Sequence, residues 1–385
     1  MLIIADENMP CVTDAFSRLG EVCLMPGRSM TAETVRDADL LLVRSITQVN
    51  RQLLDGSRVR FVGTATIGTD HIDLNYLKDA GIGFSAAPGS NANSVSEYIT
   101  AALLVLAERH GWSLKGQSLG IVGVGNVGTR VVRKAEALGL RVLLNDPPLK
   151  RATGDDKYRP VQELYDCDFI TLHVPLEKGG PDPTWHLVDG RFLGNMKPGA
   201  VLLNSSRGAV VDNIALLNAL ESGGIRDAVL DVWEDEPSIH CDVLDRVGVA
   251  TPHIAGYSYD GKVNGTEMIY HAACENLGIV SDWNSCKDLP EPAVPVLTVD
   301  ASGRDAQSMV SEAVQAAYSI MADDAALRAI CDVAEENRGA FFDRLRKEYP
   351  VRREFQNMTV QINGADSEAA REVGQVLVGL GFAVT

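Results

Sequence analysis

Apolar-rich runs alternate with stretches of helical periodicity along the first three-quarters of this chain. Leu2–Ile4, Leu40–Val43 and Val59–Val62 predict strands, and Thr13–Leu19, between the first two, predicts a helix. Ser94–Arg109 keeps an apolar helical period long enough for a connecting helix. Ser118–Val122 then predicts a strand that opens into glycines. The rhythm continues to about Pro252, with strands predicted at Arg141–Asn145, Phe169–His173, Ala200–Asn204, Ala228–Asp231 and Val247–Thr251. A second long helical pattern, around Gly265–Ile279, is suited to returning the chain to its first domain. Strands that alternate with helices predict parallel sheets with helices on their faces.

The Pro-rich segment Lys287–Pro295 breaks this rhythm and predicts a boundary. Beyond it the pattern predicts a strand at Val296–Val299, helices over Ala306–Met321 and Ala325–Lys347, and a closing strand–helix–strand that ends at Thr385. The expected class is α/β: two interleaved domains followed by a tail of about 95 residues, a size ordinary for one domain.

Composition narrows the function. Of 385 residues, 45% are hydrophobic and 23% charged, the balance of a chain with a large buried core. The net charge of −17 argues against a nucleic-acid partner, whose phosphates attract clustered Lys and Arg. Seven scattered cysteines (Cys11, Cys23, Cys167, Cys241, Cys274, Cys286, Cys331) share no C-x-x-C spacing. Neither a metal site nor a disulfide framework is expected from them, and free thiols fit a reducing compartment. MLIIADENMP lacks the features of a signal peptide, and no apolar run approaches the roughly 20 residues of a membrane span. A cytoplasmic protein is expected.

The chemistry begins at Gly120. Gly123-Val124-Gly125-Asn126-Val127-Gly128 is a G-x-G-x-x-G motif between a predicted strand and a predicted helix. The first glycine permits the tight turn, the second lets backbone approach a pyrophosphate, and the third allows close helix–strand packing. The helix N-terminus faces the anion. Asp146 ends the next strand, 18 residues after Gly128, where a carboxylate accepts hydrogen bonds from a ribose and repels a 2′-phosphate. NAD is therefore expected rather than NADP.

Three further segments fall at predicted strand ends, where open α/β sheets bind ligands. They are Asn204-Ser205-Ser206-Arg207-Gly208, Asp231-Val232-Trp233-Glu234-Asp235-Glu236-Pro237 and Thr251-Pro252-His253-Ile254-Ala255-Gly256. Oxidising an alcohol needs a base for the hydroxyl proton, and histidine titrates in the right range. A carboxylate orients the imidazole, and an arginine grips a substrate carboxylate with two donors. Arg207, Glu236 and His253 meet these needs, with Glu234 a rival for the place of Glu236. His173, at another strand end, reads as structural.

In this order the four motifs resemble the D-isomer-specific 2-hydroxyacid dehydrogenases over roughly residues 35–280. The resemblance implies catalysis by Arg207, Glu236 and His253. It implies NAD contacts from Gly123, Gly125, Asn126, Val127, Gly128, Asp146, Val174, Ser205, Ser206, Arg207, Asp231 and Gly256. It further implies a Rossmann-like nucleotide domain (96–253) inserted into a flavodoxin-like substrate domain (1–95 and 254–285), both doubly wound parallel sheets. The tail (286–385) is then an α+β dimerisation domain that makes a homodimer.

The segments Ile3–Pro10, Leu42–Thr47, Gly63–Asp73, Ala87–Ala92 and Gly256–Ser258 resemble members of the family that act on a small phosphorylated hydroxy acid, oxidised at C2. Arg44, Ser45, Thr66 and Tyr257 are the expected substrate contacts, and no metal is expected. One of Arg344, Arg346, Arg352 or Arg353 in the basic tail cluster, which also includes Lys347, is a candidate for the phosphate. Two alternatives stay open: dehydrogenation of 3-phosphoglycerate or another D-2-hydroxy acid, and a non-enzymatic NAD(H)-sensing corepressor.

Overall fold

The structure is a computed structural model that describes residues 1–283, 289–301, 304–364 and 368–385. The expected boundary at Ser285/Cys286, and Lys287 and Asp288 of the Pro-rich segment, lie outside the described residues. The chain divides into two compact units, Met1–Ala92 with Tyr257–Pro290, and Asn93–Gly256 with Glu291–Thr385.

The first unit holds strands β1 (Leu2–Asp6), β2 (Glu21–Met25), β3 (Leu40–Val43), β4 (Phe61–Thr64) and β5 (Gly83–Ala86). They form one sheet in the order β2-β1-β3-β4-β5, all parallel. The run Leu40-Leu41-Leu42-Val43 shows why strand residues here are uniformly apolar. Leu40 and Leu42 join Ile3, Phe16 and Ile269 on one face, while Leu41 and Val43 join Ile4, Val35 and Leu77 on the other. Alternating side chains meet a core on each side. The helix Tyr259–Leu277 returns to this sheet as its periodicity predicts. At Gly63 a Cβ would lie 2.3 Å from Ile269 Cγ2, so the glycine lets that helix approach.

The second unit holds β6 (Ser118–Val122), β7 (Arg141–Asn145), β8 (Phe169–Leu172), β9 (Val201–Asn204), β10 (Asp227–Leu230) and β11 (Val249–Ala250) in a parallel six-stranded sheet. The order β11-β10-β9-β8-β6-β7 reverses direction beside β6. Such a switch point opens a crevice at the carboxyl ends of the strands.

The tail belongs to this second unit. Its strands β12 (Val296–Asp300), β13 (Thr359–Asn363) and β14 (Ala383–Val384) run parallel to one another. Asp324 Oδ1 accepts from the Ala250 amide at 2.8 Å, covering the edge strand β11, and Arg328 donates to the carbonyls of Leu244 and Val247, each at 2.7 Å. Leu327, Ile330 and Phe342 lie in one core with Leu244 and Val247.

Two sequence expectations fail in the tail. The helix expected over Ala306–Met321 stops at Ala317, and Tyr318 is extended. The helix expected over Ala325–Lys347 is interrupted by a 3₁₀ turn at Ala329–Asp332 and restarts at Glu335. Ile330 is fully buried in that turn and Cys331 forms a disulfide with Cys241, so tertiary contacts override the helical period. Glu335 and Glu336 then fall in a first helical turn, where the dipole favours anions. The Cys241–Cys331 disulfide also corrects the expectation of unpaired thiols. Those two positions are 90 residues apart in sequence, with Cα atoms 5.9 Å apart, and no local spacing announces the pair. Cys23, Cys167 and Cys274 are free thiols.

Candidate active site

The glycine loop leaves β6 and enters the helix Asn126–Ala137. Gly123 has φ +89, and a Cβ there would sit 2.4 Å from the His173 carbonyl oxygen. At Gly128 a Cβ would lie 2.1 Å from the Gly123 oxygen. Gly125, by contrast, meets nothing within 4 Å. Two glycines close the turn against its neighbours, and the third leaves an open cradle. Val174, which follows β8, also borders the Gly123 turn.

Asp146 binds the loop to the next helix. Its Oδ2 accepts from the Val124 amide at 2.8 Å, and its Oδ1 caps the helix Pro147–Thr153 through Leu149 N at 2.9 Å. Each oxygen retains acceptor capacity. His173 keeps to the structural role read from the sequence: Nε2 bonds Thr171 Oγ1 at 3.0 Å, and burial pushes its pKa down to about 3.

At the end of β9, Asn204 shapes the next loop. Its Oδ1 accepts from both the amide and the hydroxyl of Ser206, and its Nδ2 donates to the Arg207 carbonyl at 2.9 Å. The Ser205 hydroxyl is buried without a hydrogen-bond partner. Arg207 donates through Nη1 to the Ser206 carbonyl at 2.9 Å. A Cβ on Gly208 would lie 1.9 Å from the Trp233 oxygen, so this glycine seats the Arg207 loop against the loop after β10.

That loop carries both acidic candidates, and the structure separates them. Glu234 Oε1 lies 2.6 Å from His186 Nε2, and its Oε2 accepts from the Asn213 amide. Glu236 Oε1 lies 2.6 Å from His253 Nδ1. Burial raises the Glu236 pKa, but the His253 charge and hydrogen bond, with Arg346 and the Trp233 amide, outweigh it and hold the carboxyl below its ordinary value. An ionised carboxylate only accepts, so Nδ1 carries a proton in either charge state of His253, and in the neutral imidazole Nε2 presents its lone pair.

Asp231 organises the His253 loop from beneath. Its backbone carbonyl accepts from His253 N at 2.7 Å. Its carboxylate takes the Thr251 hydroxyl and the amides of Ile254 and Ala255, at 2.7–2.9 Å. Asp231 is 1% exposed, and burial raises its pKa against these donors. His253 itself sits at φ +58, a left-handed conformation that costs a non-glycine residue roughly 1–2 kcal/mol. Gly256 ends this segment and the first stretch of the second unit, Asn93–Gly256.

The four expected substrate contacts lie in the first unit. Arg44 donates to the Asn8 carbonyl at 2.8 Å and stands 5.7 Å from the Tyr257 ring centroid. Lys262, not singled out from the sequence, faces the same ring at 4.9 Å. Ser45 is exposed, and Thr66 Oγ1 pairs with Thr64 Oγ1 at 2.8 Å. In the tail cluster, Arg344 stacks on Phe341, Arg353 bonds Asn357, and Arg352 is buried behind the His253 loop. Among the described residues no cluster of three or more His, Cys, Asp or Glu is placed to hold a metal, and no helix is long and apolar enough to cross a membrane.

The cradle at Gly125, the buried unpartnered hydroxyl of Ser205 and the helix N-terminus at Asn126 fit a dinucleotide. Known sequences agree. The profile of the D-isomer specific 2-hydroxyacid dehydrogenase NAD binding domain matches residues 96–255, and a domain of unknown function matches 289–375. The chain belongs to the family of D-isomer-specific 2-hydroxyacid dehydrogenases and is an NAD-dependent dehydrogenase. Within it, the chain is similar over nearly its whole length to proteins named erythronate-4-phosphate dehydrogenase. It is 48% identical to the one from Marinobacter nauticus, over 95% of this chain and 96% of that one. Identity to the Salinibacter ruber protein is 49%, over 97% of each. Among solved structures, the D-lactate dehydrogenase of Aquifex aeolicus, complexed with NAD and lactic acid, aligns with TM-score 0.58 at 26% identity, covering 72% of this chain and 95% of that one. The NAD-bound 3-phosphoglycerate dehydrogenase of Entamoeba histolytica aligns at 0.62 and 22% identity, over 74% and 99%, a likeness of fold alone.

Proposed function

We propose that this protein oxidises 4-phospho-D-erythronate at C2 to 3-hydroxy-2-oxo-4-phosphooxybutanoate, a cytoplasmic step in the formation of pyridoxine. The observation that carries the reading is the 2.6 Å Glu236–His253 pair, set among the family's other motifs in a chain similar end to end to erythronate-4-phosphate dehydrogenases.

In this reading His253 Nε2 takes the proton of the C2 hydroxyl, and Glu236, held ionised, stabilises the imidazolium that results. Arg207 holds the substrate carboxylate and polarises the forming carbonyl. NAD, when bound, accepts the hydride. Gly123, Gly125, Asn126, Val127 and Gly128 hold its pyrophosphate, Asp146 its ribose, and Val174, Ser205, Ser206, Arg207, Asp231 and Gly256 the remainder. Asp231 Oδ2, with one amide partner, has room for a further donor. Arg44, Ser45, Thr66 and Tyr257 contact the substrate.

We also propose a division into a substrate domain (1–95, 254–285), a nucleotide domain (96–253) and a tail (286–385), with a homodimer formed through the tail. Sedimentation of the whole chain at twice the monomer mass, lost on substitution of exposed tail residues such as Val296, is the expected result.

The test is a single-turnover absorbance measurement at 340 nm with 4-phospho-D-erythronate, 3-phosphoglycerate and D-lactate. NADH from the erythronate alone, abolished by His253→Ala, supports the reading. NADH from 3-phosphoglycerate instead reassigns the substrate, and none from any, with NAD bound, returns the sensor alternative.

A further inference from the structure

Arg352 lies in the tail, 6% exposed, between the helix Glu335–Lys347 and the turn Phe355–Asn357. Its guanidinium carbon stands 4.1 Å from the Tyr318 ring centroid and 6.0 Å from that of Tyr349. Both phenols donate to Asp323 Oδ2 at 2.9 Å, so the buried cation has a carboxylate behind its aromatic walls. On the other side, Nη2 donates to the Ala255 carbonyl at 2.7 Å and to the Ser94 hydroxyl. Ser94 itself donates to the same carbonyl at 2.8 Å.

Ala255 is two residues past His253. Its amide is held by the Asp231 carboxylate, and its carbonyl by the tail. The segment His253-Ile254-Ala255 is thus gripped at both polar ends while His253 keeps its left-handed backbone. A strained conformation persists only where its surroundings over-determine it.

Stability alone accounts poorly for an arginine here. Nε and Nη1 are buried without partners. An unsatisfied buried donor is costly, and a buried ion pair replaced whole by apolar residues is often no less stable.

We propose that Arg352 is a positioning residue for catalysis: the tail uses it to fix the Ala255 carbonyl and so hold His253 in the geometry that pairs with Glu236. The inference rests on the catalytic reading of His253 given above. It assigns the tail a task within its own chain, separate from any role in dimerisation.

The experiment compares Arg352→Met, Arg352→Lys and Arg352→Ala with the wild type, all as full-length protein. Single-turnover rates with 4-phospho-D-erythronate are read beside the Kd for NADH and the Tm. Arg352→Met is expected to remain folded, with a lower Tm because the Asp323 carboxyl loses its cation, and to bind NADH within about twofold. Its rate should fall about 10–100-fold, the scale of a misplaced reacting group. Arg352→Lys should recover most of the loss, and added guanidinium ion should rescue Arg352→Ala, neither of which a packing role predicts. Wild-type rates in Arg352→Met, with His253→Ala inactive, would overturn this inference and leave the catalytic reading intact. Activity in His253→Ala would overturn both.

Discussion

Glu236 Oε1 lies 2.6 Å from His253 Nδ1, and the two residues come from loops that follow different strands of one sheet. The bond fixes which imidazole nitrogen carries the proton, and so which one is free to take another. Glu236→Gln, which can offer its amide N–H to Nδ1 and select the wrong tautomer, is expected to lower kcat on the order of 10²–10⁴-fold with NAD affinity nearly unchanged. Glu234→Gln is the control. Its carboxylate serves His186 and Asn213, so kcat should change less than about threefold. Equal losses in the two variants would remove the assignment.

The two glycines that end the nucleotide motif should fail in different ways. Nothing lies within 4 Å of a Cβ at Gly125, so Gly125→Ala should fold with the wild-type Tm yet lose NAD affinity at least about tenfold, because the methyl fills the pyrophosphate cradle. Gly128→Ala drives a Cβ to within 2.1 Å of a backbone oxygen and should lower Tm. Calorimetry with and without NAD separates the two, and an undisturbed affinity in Gly125→Ala would remove the cradle.

Glu97 and Glu354 are each 2% exposed and share the amide of Asn93, at 3.0 and 2.7 Å. Burial, then the Glu354 charge, pushes the Glu97 pKa up to about 8 from an ordinary 4.5, although Lys134 opposes the shift. Folded protein therefore holds a proton that unfolded chain releases, and stability from this group is complete below 4.5 and lost as pH rises through about 8. The urea midpoint of the wild type should fall across that window and that of Glu97→Gln should fall less. Parallel curves would show that Glu97 does not carry the proton.

Closing a loop of about 90 residues by a disulfide contributes roughly 2–5 kcal/mol in the chain-entropy account. Cys241→Ser with Cys331→Ser should lower the urea midpoint correspondingly. The same double variant should resist any further loss caused by reductant at this pair. An unchanged midpoint would mean that the core around Ile330 holds the tail without it.

The sequence by itself determined the βα rhythm, because buried parallel strands demand unbroken apolar runs such as Leu40–Val43. It determined the nucleotide turn too, because Gly123, Gly125 and Gly128 each answer a steric need within nine residues of Gly120. Arg207, Glu236 and His253 were legible as candidates, since strand ends and side-chain chemistry are local properties. Which carboxylate faces the histidine was not. Glu234 and Glu236 are two residues apart, and only the fold delivers His186 to one and His253 to the other.

The tail was the least legible part. The helical period of Ala325–Lys347 reads as continuous, yet the chain turns at Ala329–Asp332 because Ile330 and Cys331 find partners far away in sequence. Arg352 read as one of four arginines in a basic cluster that were candidates for the substrate phosphate. Tertiary packing instead buries it against Tyr318, Ser94 and Ala255, drawn from segments up to 258 residues apart. Periodicity and spacing encode what neighbours in sequence do to one another, whereas long-range polar contacts follow from how finished elements pack, and no local pattern carries that information.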